Sequence, residues 1–248
     1  MPARRTTLPR AAVPAAAALA AALALLTACG GAHRTHGAGA SQVRRPAHAS
    51  APASGPGAPP GVGSRLRSRI PAASRQVVAV YGEDADAAGS TVVFYTRRGG
   101  RWHAEHRWPA HNGRRGWTAD HHEGDLRSPV GVFTLSDAGG VLPDPGSRLP
   151  YTPSAAFAAP RTWSRSHWHD FDYVVAIDYN RVRGTSPLDP TRPAGRRKGG
   201  GIWLHVDHRG GTSGCVSLPA SGMAYLLRAL DPARHPVIVM GDRAALAA

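Results

Sequence analysis

The chain has 248 residues, enough for one large domain or two small ones, and a formal net charge of +14. Residues 1–75 hold ten arginines and no acidic residue, which leaves 20 basic and 16 acidic residues beyond them, a balance of only +4. This modest excess, with no basic helix and no basic stripe studded with aromatic residues, argues against a nucleic-acid partner.

Residues 1–28 have the pattern of an export signal. Arg4, Arg5 and Arg10 precede a run over 11–26 that is too short and too rich in alanine for a membrane span. The run ends in Leu-Thr-Ala-Cys at 26–29, which resembles a bacterial lipobox and implies cleavage before Cys29 and a diacylglycerol on its thiol. We therefore expect an exported protein, anchored by lipid to the outer face of the cytoplasmic membrane and facing the cell wall. An ordinary signal peptide with a chance cysteine is the alternative.

Residues 29–75 are predicted to be a disordered, basic tether. They consist mostly of Gly, Ala, Pro, Ser, His and Arg, with almost no large apolar side chain. Such a composition cannot bury enough surface to offset the entropy of ordering the chain. The folded domain is accordingly predicted over 76–248.

Short strands, separated by Gly, Pro and Asp, dominate this domain. They are predicted where β-branched and aromatic residues cluster, at 76–81, 91–95, 101–108, the second half of 125–135, 173–180, 202–206 and 236–240. Residues 139–163 are rich in Pro, Ser and Ala and carry little periodicity, so they are predicted to be a long surface loop that lines a cleft.

One helix is predicted near the C-terminus, where Pro219 suits the first turn and Asp231-Pro232 ends the run. The spacing i, i+3, i+4 and i+7 gives one apolar stripe, formed by Met223, Leu226, Leu227 and Leu230. The fold class is therefore mainly β, one domain with one packed α-helix.

The candidate site consists of a histidine on a strand and a lone cysteine on the loop that follows. In the strand at 202–206, alternation places Ile202, Leu204 and Val206 on one face and Trp203, His205 and Asp207 on the other. A loop with Gly210 and Gly211 follows and delivers Cys215. If lipid takes up the Cys29 thiol, Cys215 has no partner for a disulfide within the chain, which favours a reactive role.

Thiol catalysis needs a base and donors for an oxyanion. His205 is the predicted base, with either Asp207 or a backbone carbonyl to orient it. The predicted oxyanion donors are the amides of Ser213, Gly214 and Cys215.

These residues resemble the L,D-transpeptidase catalytic-domain family of bacterial cell-wall enzymes, whose motif is a strand histidine followed by Ser/Thr-His-Gly-Cys. Here the match is His205 and then Thr212-Ser213-Gly214-Cys215. Similar flanking pieces are Glu-Gly-Asp at 123–125, Ser-Pro-Val-Gly-Val-Phe at 128–133, Tyr-Asn at 179–180 and Gly-Ile-Trp-Leu-His at 201–205. The chain departs from the family at Ser213, usually histidine, and at Ser217, usually Arg or Asn.

The resemblance covers residues 76–242 and implies a β-rich, sandwich- or barrel-like catalytic fold in an actinobacterial-type lipoprotein. It implies that Cys215 attacks a peptidoglycan stem peptide and forms a thioester, that His205 is the base, and that a neighbouring amine completes a 3→3 cross-link. Thr212, Ser213 and Gly214 would support the oxyanion, and Trp203, Tyr179 and Asn180 would contact substrate. No metal or organic cofactor is implied, and a monomer is expected.

Other functions compete with this one. Zinc hydrolysis is suggested by three near-pairs of histidines, at 205 and 208, at 121–123 with Glu123, and at 167–170 with Asp170. None has a clear third ligand, and with 13 histidines such near-pairs arise easily. The same thioester could be hydrolysed, by an L,D-carboxypeptidase or an amidase, and a lipoprotein that binds peptidoglycan without turnover is the non-enzymatic alternative. Trp203 and Tyr179 are equally well explained as core residues.

Overall fold

The computed structural model of the protein describes residues 57–248. The predicted signal peptide, Cys29 and the predicted tether up to residue 56 lie outside them. Within the described range no helix is both long and apolar enough to cross a membrane. The strands are β1 Gln76–Gly82, β2 Gly89–Arg98, β3 Arg101–His111, β4 Trp117–Thr118, β5 Ser128–Pro129, β6 Gly131–Gly140, β7 Tyr151–Pro153, β8 Val174–Ile177, β9 Trp203–Val206, β10 Val216–Leu218 and β11 Val237–Asp242. The α-helices are α1 Ser64–Arg67, α2 Ala220–Ala229 and α3 Arg243–Ala247.

Eight of the strands close into a barrel. Nine strands form one sheet in the order β11-β1-β2-β3-β10-β9-β8-β6-β7, and β11 pairs in addition with β6. That extra antiparallel pairing joins the first strand in this order, β11, to the eighth, β6. Among the described strands, β7 pairs only with β6 and lies outside the closed ring of strands. The prediction of a mainly β domain, with one helix longer than two turns, is confirmed.

Two clusters of buried side chains lie on opposite faces of β1. Val78 and Val80 belong to the larger cluster, whereas Val77 and Ala79 belong to a smaller one. A strand buried on both faces reads as a continuous apolar run rather than as an alternation, which is the pattern at 77–80.

The helix α2 begins directly after Pro219, as predicted, and packs against β9. Met223, Leu226 and Leu227 on its apolar stripe are fully buried. Replacing one such leucine by alanine typically costs about 2–5 kcal/mol, because it removes buried apolar surface and leaves a cavity. The helix therefore supports the strand that carries His205.

Residues 57–75 pack against the domain, although the sequence assigned them to the tether. Leu66 in α1 is fully buried and belongs with Val62 to the smaller cluster, and the partly buried Ile70 packs against that cluster. The amide of Gly63 donates to the carbonyl of Leu246 in α3 at 2.8 Å. The packed part of the chain therefore begins before residue 76.

The stretch 139–163 is only in part the surface loop that was predicted. Strand β6 continues to Gly140, β7 pairs with it in parallel, and Leu149 and Phe157 are buried. These apolar residues are too widely spaced to produce a periodic pattern, which is why the sequence did not indicate them.

Candidate active site

Strand pairing places the Cys215 thiol beside β9. Val216 pairs with Leu204 in the parallel ladder between β10 and β9, so Cys215 lies next to Trp203. The Trp203 amide donates to Cys215 Sγ at 3.4 Å, and Sγ lies 3.5 Å from the carbonyl oxygen of Gly201. His205 is two residues farther along β9, and alternate residues share a face, so its imidazole lies on the side of the sheet that carries the thiol.

The His205 side chain is buried and its orientation is set by a backbone group. Its Nδ1 lies 2.9 Å from the carbonyl oxygen of Val206. A carbonyl can only accept, so Nδ1 carries the proton and Nε2 keeps the lone pair. Of the two groups predicted to orient His205, the backbone carbonyl is the one that contacts it. The contact holds His205 in the tautomer with a free Nε2 lone pair, which a general base requires.

Cys215 and His205 line one cavity of about 400 Å³. Its wall also includes Trp163, Phe171, Thr212 and Ser213, and the exposed side chain of Arg114 contributes a positive charge at its edge. Trp163 ends the stretch that was predicted to line a cleft. A thiol and an imidazole in one solvent-connected cavity can act on the same bound molecule.

Residues 210–215, the nucleophile loop, are shaped by glycine. Gly214 has φ 149°, and a Cβ there would lie 3.2 Å from the carbonyl oxygen of Arg127. At Gly211 a Cβ would come within 2.6 Å of the Arg114 Cα, because the loop runs against the backbone that follows β3. Side chains are therefore excluded at both positions, one of them directly before Cys215.

Thr212 fixes the nucleophile loop from within. Its hydroxyl donates to the Cys215 carbonyl at 2.6 Å and accepts from the Gly214 amide at 3.1 Å. The Gly214 amide, one of the three predicted oxyanion donors, is thus already engaged. The Thr212 hydroxyl therefore supports the loop, and its support of an oxyanion stays a prediction.

Ser128 fixes the same loop from outside, a role that the sequence did not indicate. The buried hydroxyl donates to the Gly214 carbonyl at 2.7 Å and accepts from the Gly113 amide at 2.9 Å. Ser128 precedes Pro129 in a segment that resembles a simple turn, and only the tertiary fold brings it to Cys215, 87 residues away in the chain.

Both catalytic candidates are neutral at neutral pH. Burial raises the pKa of the Cys215 thiol to about 11; the bond from the Trp203 amide opposes this shift, and the Asp170 carboxylate adds to it. Burial also lowers the pKa of the His205 imidazole, partly offset by the Val206 carbonyl and by Asp170. The resting site is therefore a thiol beside an uncharged imidazole rather than a preformed ion pair.

Asp207 does not orient His205. Its Oδ1 accepts from the Ser217 hydroxyl at 2.7 Å and lies 2.8 Å from His111 Nδ1, and its Oδ2 accepts from the Arg209 amide at 2.9 Å. Ser217, one of the two departures from the family motif, is thus a buried partner of Asp207. The cluster ties the ends of β3, β9 and β10 together.

The three predicted substrate contacts are engaged with protein groups. The Trp203 ring packs edge-on against Phe157 and Phe171. The Tyr179 hydroxyl donates to the Lys198 carbonyl at 2.9 Å, and the Asn180 amide donates to the carbonyls of Gly195 and Gly199. Tyr179 and Asn180 therefore hold the segment before β9, whereas Trp203 packs against Phe171, which lines the cavity.

Two of the near-pairs of histidines contribute to a single cluster. His167, Asp170 and His208, which we call the histidine rim, each offer one ligand atom, and these three atoms lie within 4.8 Å of one another. In the described part of the chain this is the one group of three His, Cys, Asp or Glu side chains with that property. The third near-pair is separate, since His121 lies 3.0 Å from Asp125 and His122 lies 3.6 Å from Asp120.

Comparison with known proteins identifies the family. The sequence model of the L,D-transpeptidase catalytic domain (YkuD) matches residues 84–239, well over half of the chain. A solved structure, "Structure of Bdellovibrio bacteriovorus Bd1075", is similar at 18% identity with a TM-score of 0.38, covering 67% of this chain and 47% of its own. The chain thus spans about half the length of that protein, and no curated protein matches it. The match of the family model shows that the chain belongs to the L,D-transpeptidase catalytic domain family.

Proposed function

We propose that the protein is a cysteine acyltransferase that forms 3→3 cross-links between peptidoglycan stem peptides. Membership of the family supports peptidoglycan as the substrate. The observation that carries the proposal is the shared cavity of Cys215 and His205, with His205 Nδ1 bonded to the Val206 carbonyl. That bond leaves Nε2 to take the thiol proton.

Acylation begins from the neutral pair. As Sγ attacks the carbonyl carbon of the amide before the terminal D-Ala, its proton passes to His205 Nε2. The imidazolium then gives this proton to the leaving amine, the carbon–nitrogen bond breaks, and a thioester and free D-Ala result. Because burial raises the thiol pKa to about 11, little thiolate is present at neutral pH, and a base that takes the proton assists the attack.

Backbone donors would hold the oxyanion of the tetrahedral intermediate. The Gly214 amide is bonded to Thr212 Oγ1, so the amides of Ser213 and Cys215 are the better candidates. Both lie on the nucleophile loop, whose position the Thr212 and Ser128 hydroxyls set.

The second half-reaction transfers the acyl group. An amine from a neighbouring stem loses its proton to His205 and attacks the thioester carbon, and the departing thiolate is reprotonated. Arg114 at the edge of the cavity is placed to attract a carboxylate of a stem peptide, because it carries a fixed positive charge.

The domain organisation is part of the proposal. A lipid on Cys29 and a tether would hold the catalytic domain, as a monomer, on the outer face of the cytoplasmic membrane and within reach of the wall. This part of the proposal is based on the sequence of residues 1–56, which lie outside the described residues.

Product analysis tests the function. Incubated with a stem tetrapeptide, the protein should release D-Ala and form a cross-linked dimer, whereas the Cys215→Ala variant should do neither. Release of D-Ala with free tripeptide and no dimer, even with excess acceptor amine, would assign a carboxypeptidase instead. Binding of muropeptides without turnover would assign the non-enzymatic alternative.

A further inference from the structure

The histidine rim lies on the cavity of the nucleophile but takes no part in the proposed acyl transfer. His167 ends a turn of 3₁₀ helix at Arg165–His167, Asp170 follows it, and His208 lies after β9. The amide of Val206 donates to the backbone carbonyl of Asp170 at 2.9 Å, which ties the two segments together. The three side chains are therefore held by the fold rather than gathered by chance on a flexible surface.

Two ring nitrogens converge on one carboxylate oxygen. Asp170 Oδ2 lies 2.9 Å from His167 Nδ1 and 3.0 Å from His208 Nδ1, and the two imidazole centroids are 4.2 Å apart. In a tetrahedral zinc site, metal–ligand bonds of about 2.0–2.2 Å place neighbouring ligand atoms roughly 3.3 Å apart. The two nitrogen–oxygen distances on the rim are already close to this value, and all three ligand atoms lie within 4.8 Å of one another.

His208 supplies an independent indication of a ligand. Its side chain is only 10% exposed, and its Nδ1 is buried without a hydrogen-bond partner, although Asp170 Oδ2 lies 3.0 Å away. Leaving a buried polar nitrogen unpaired costs about 1–3 kcal/mol. A bound cation would accept the lone pair of this nitrogen and remove the penalty.

We propose that His167, Asp170 and His208 bind one Zn²⁺ ion at the rim of the catalytic cavity. Two imidazoles and one carboxylate suit a late first-row divalent metal, whereas Mg²⁺ and Ca²⁺ prefer sites made of oxygen ligands. Three protein ligands leave a coordination position open, and all three residues line the cavity that holds Cys215. A molecule in the cavity could thus reach the open coordination position of the metal.

His205 is not one of the ligands. Its ring is nearly parallel to that of His208 at 6.3 Å, and its Nδ1 is bonded to the Val206 carbonyl. The metal site and the proposed base are neighbours but use different residues. Zinc binding can therefore be tested separately from acyl transfer.

The chain contains a matched control two residues away. His169 Nδ1 lies 2.9 Å from Asp172 Oδ2 at the same i, i+3 spacing as His167 and Asp170, but the His169 side chain is 78% exposed. Neither His169 nor Asp172 belongs to the one group of three close ligand residues in the described part of the chain. It reproduces the local sequence pattern without the tertiary site.

The test is metal binding to the full-length protein carrying Cys29→Ser and stripped with EDTA. Calorimetric titration with Zn²⁺ should give one ion per chain, and Co²⁺ should produce visible absorption bands that Zn²⁺ abolishes and Mg²⁺ does not. His208→Ala and Asp170→Asn should each weaken binding by at least about 100-fold, because each removes a direct ligand, whereas losing an outer-shell partner of a ligand already costs about 10–100-fold. His169→Ala and Cys215→Ala should retain the affinity of the parent.

Circular dichroism checks that the variants fold. If a variant does not fold, the Co²⁺ spectrum of the parent protein still tests whether the metal binds. Absence of saturable Zn²⁺ binding in the parent would overturn the proposal. So would an equal loss of affinity in His169→Ala and His208→Ala, since it would assign binding to scattered surface histidines.

Discussion

The two sides of the catalytic cavity differ in how their polar groups are satisfied. On the nucleophile loop, the Thr212 and Ser128 hydroxyls each both donate and accept, and buried carbonyls and amides are paired. On the histidine rim, two imidazoles converge on one carboxylate and a buried nitrogen has no hydrogen-bond partner. The first arrangement is complete and holds a backbone in place, whereas the second would be completed by the proposed metal ion.

Removing the base should have the largest effect on the nucleophile side. His205→Gln should slow formation of the acyl-enzyme by about 10²–10⁴-fold, because a thiol with a pKa of about 11 then has no acceptor for its proton. Stopped-flow or quenched measurement of D-Ala release gives the rate. His169→Ala serves as the control and should react like the parent; equal slowing in the two variants would remove the special role of His205.

The reactivity of Cys215 should rise with pH across the whole neutral range. Burial raises its pKa, so the protonated form dominates until the pH approaches about 11. Alkylation by iodoacetamide at Cys215 should therefore accelerate by about tenfold per pH unit between pH 7 and pH 10. Peptide mass spectrometry follows the site, and the urea-unfolded chain should level off near pH 9. A plateau below pH 8 in the folded protein would indicate a preformed thiolate instead.

Disturbing the outer support of the nucleophile loop should have an intermediate effect. Ser128→Ala leaves the buried Gly113 amide without its partner, which should lower the free energy of unfolding by about 1–3 kcal/mol. Urea denaturation measures this change. Ser213→Ala on the same loop, where the side chain is exposed, should alter stability by less than about 0.5 kcal/mol. Similar losses in both variants would contradict the support assigned to Ser128.

The smallest effect is expected at the edge of the cavity. Arg114→Met should raise the KM for a stem tetrapeptide several-fold and leave kcat nearly unchanged, because an exposed charge contributes mainly to attraction of substrate. Steady-state kinetics at low and high salt would show the difference shrinking as salt screens the charge. A fall in kcat with unchanged KM would instead place Arg114 in the reaction itself.

Local patterns in the sequence predicted the elements that local physics determines. The alternation at 202–206 placed Ile202, Leu204 and Val206 on one face, and all three belong to the larger buried cluster. The stripe on α2 was also found, with a start within one residue of the observed one, since Pro219 caps the helix. The choice of Cys215 and His205 came from the family motif together with the absence of a disulfide partner, and the structure brings both to one cavity.

What the sequence could not show are partnerships across long separations. His167 and His208 belong to different near-pairs, and neither near-pair contains a third ligand, so only the fold brings the histidine rim together. Ser128 reaches the nucleophile loop in the same way. By contrast, the spacing of Val62, Leu66 and Ile70 was visible in the sequence and could have predicted that residues 57–75 pack on the domain.

Detection of the acyl-enzyme tests the central claim most directly. Intact-mass spectrometry after brief mixing with a stem tetrapeptide should reveal an adduct of the peptide mass less D-Ala on the parent protein, mapped to Cys215. The Cys215→Ala variant, folded by circular dichroism, should carry none. A folded, fully alkylatable parent that never gains the adduct, or an adduct that persists in Cys215→Ala, would contradict the proposed thioester mechanism.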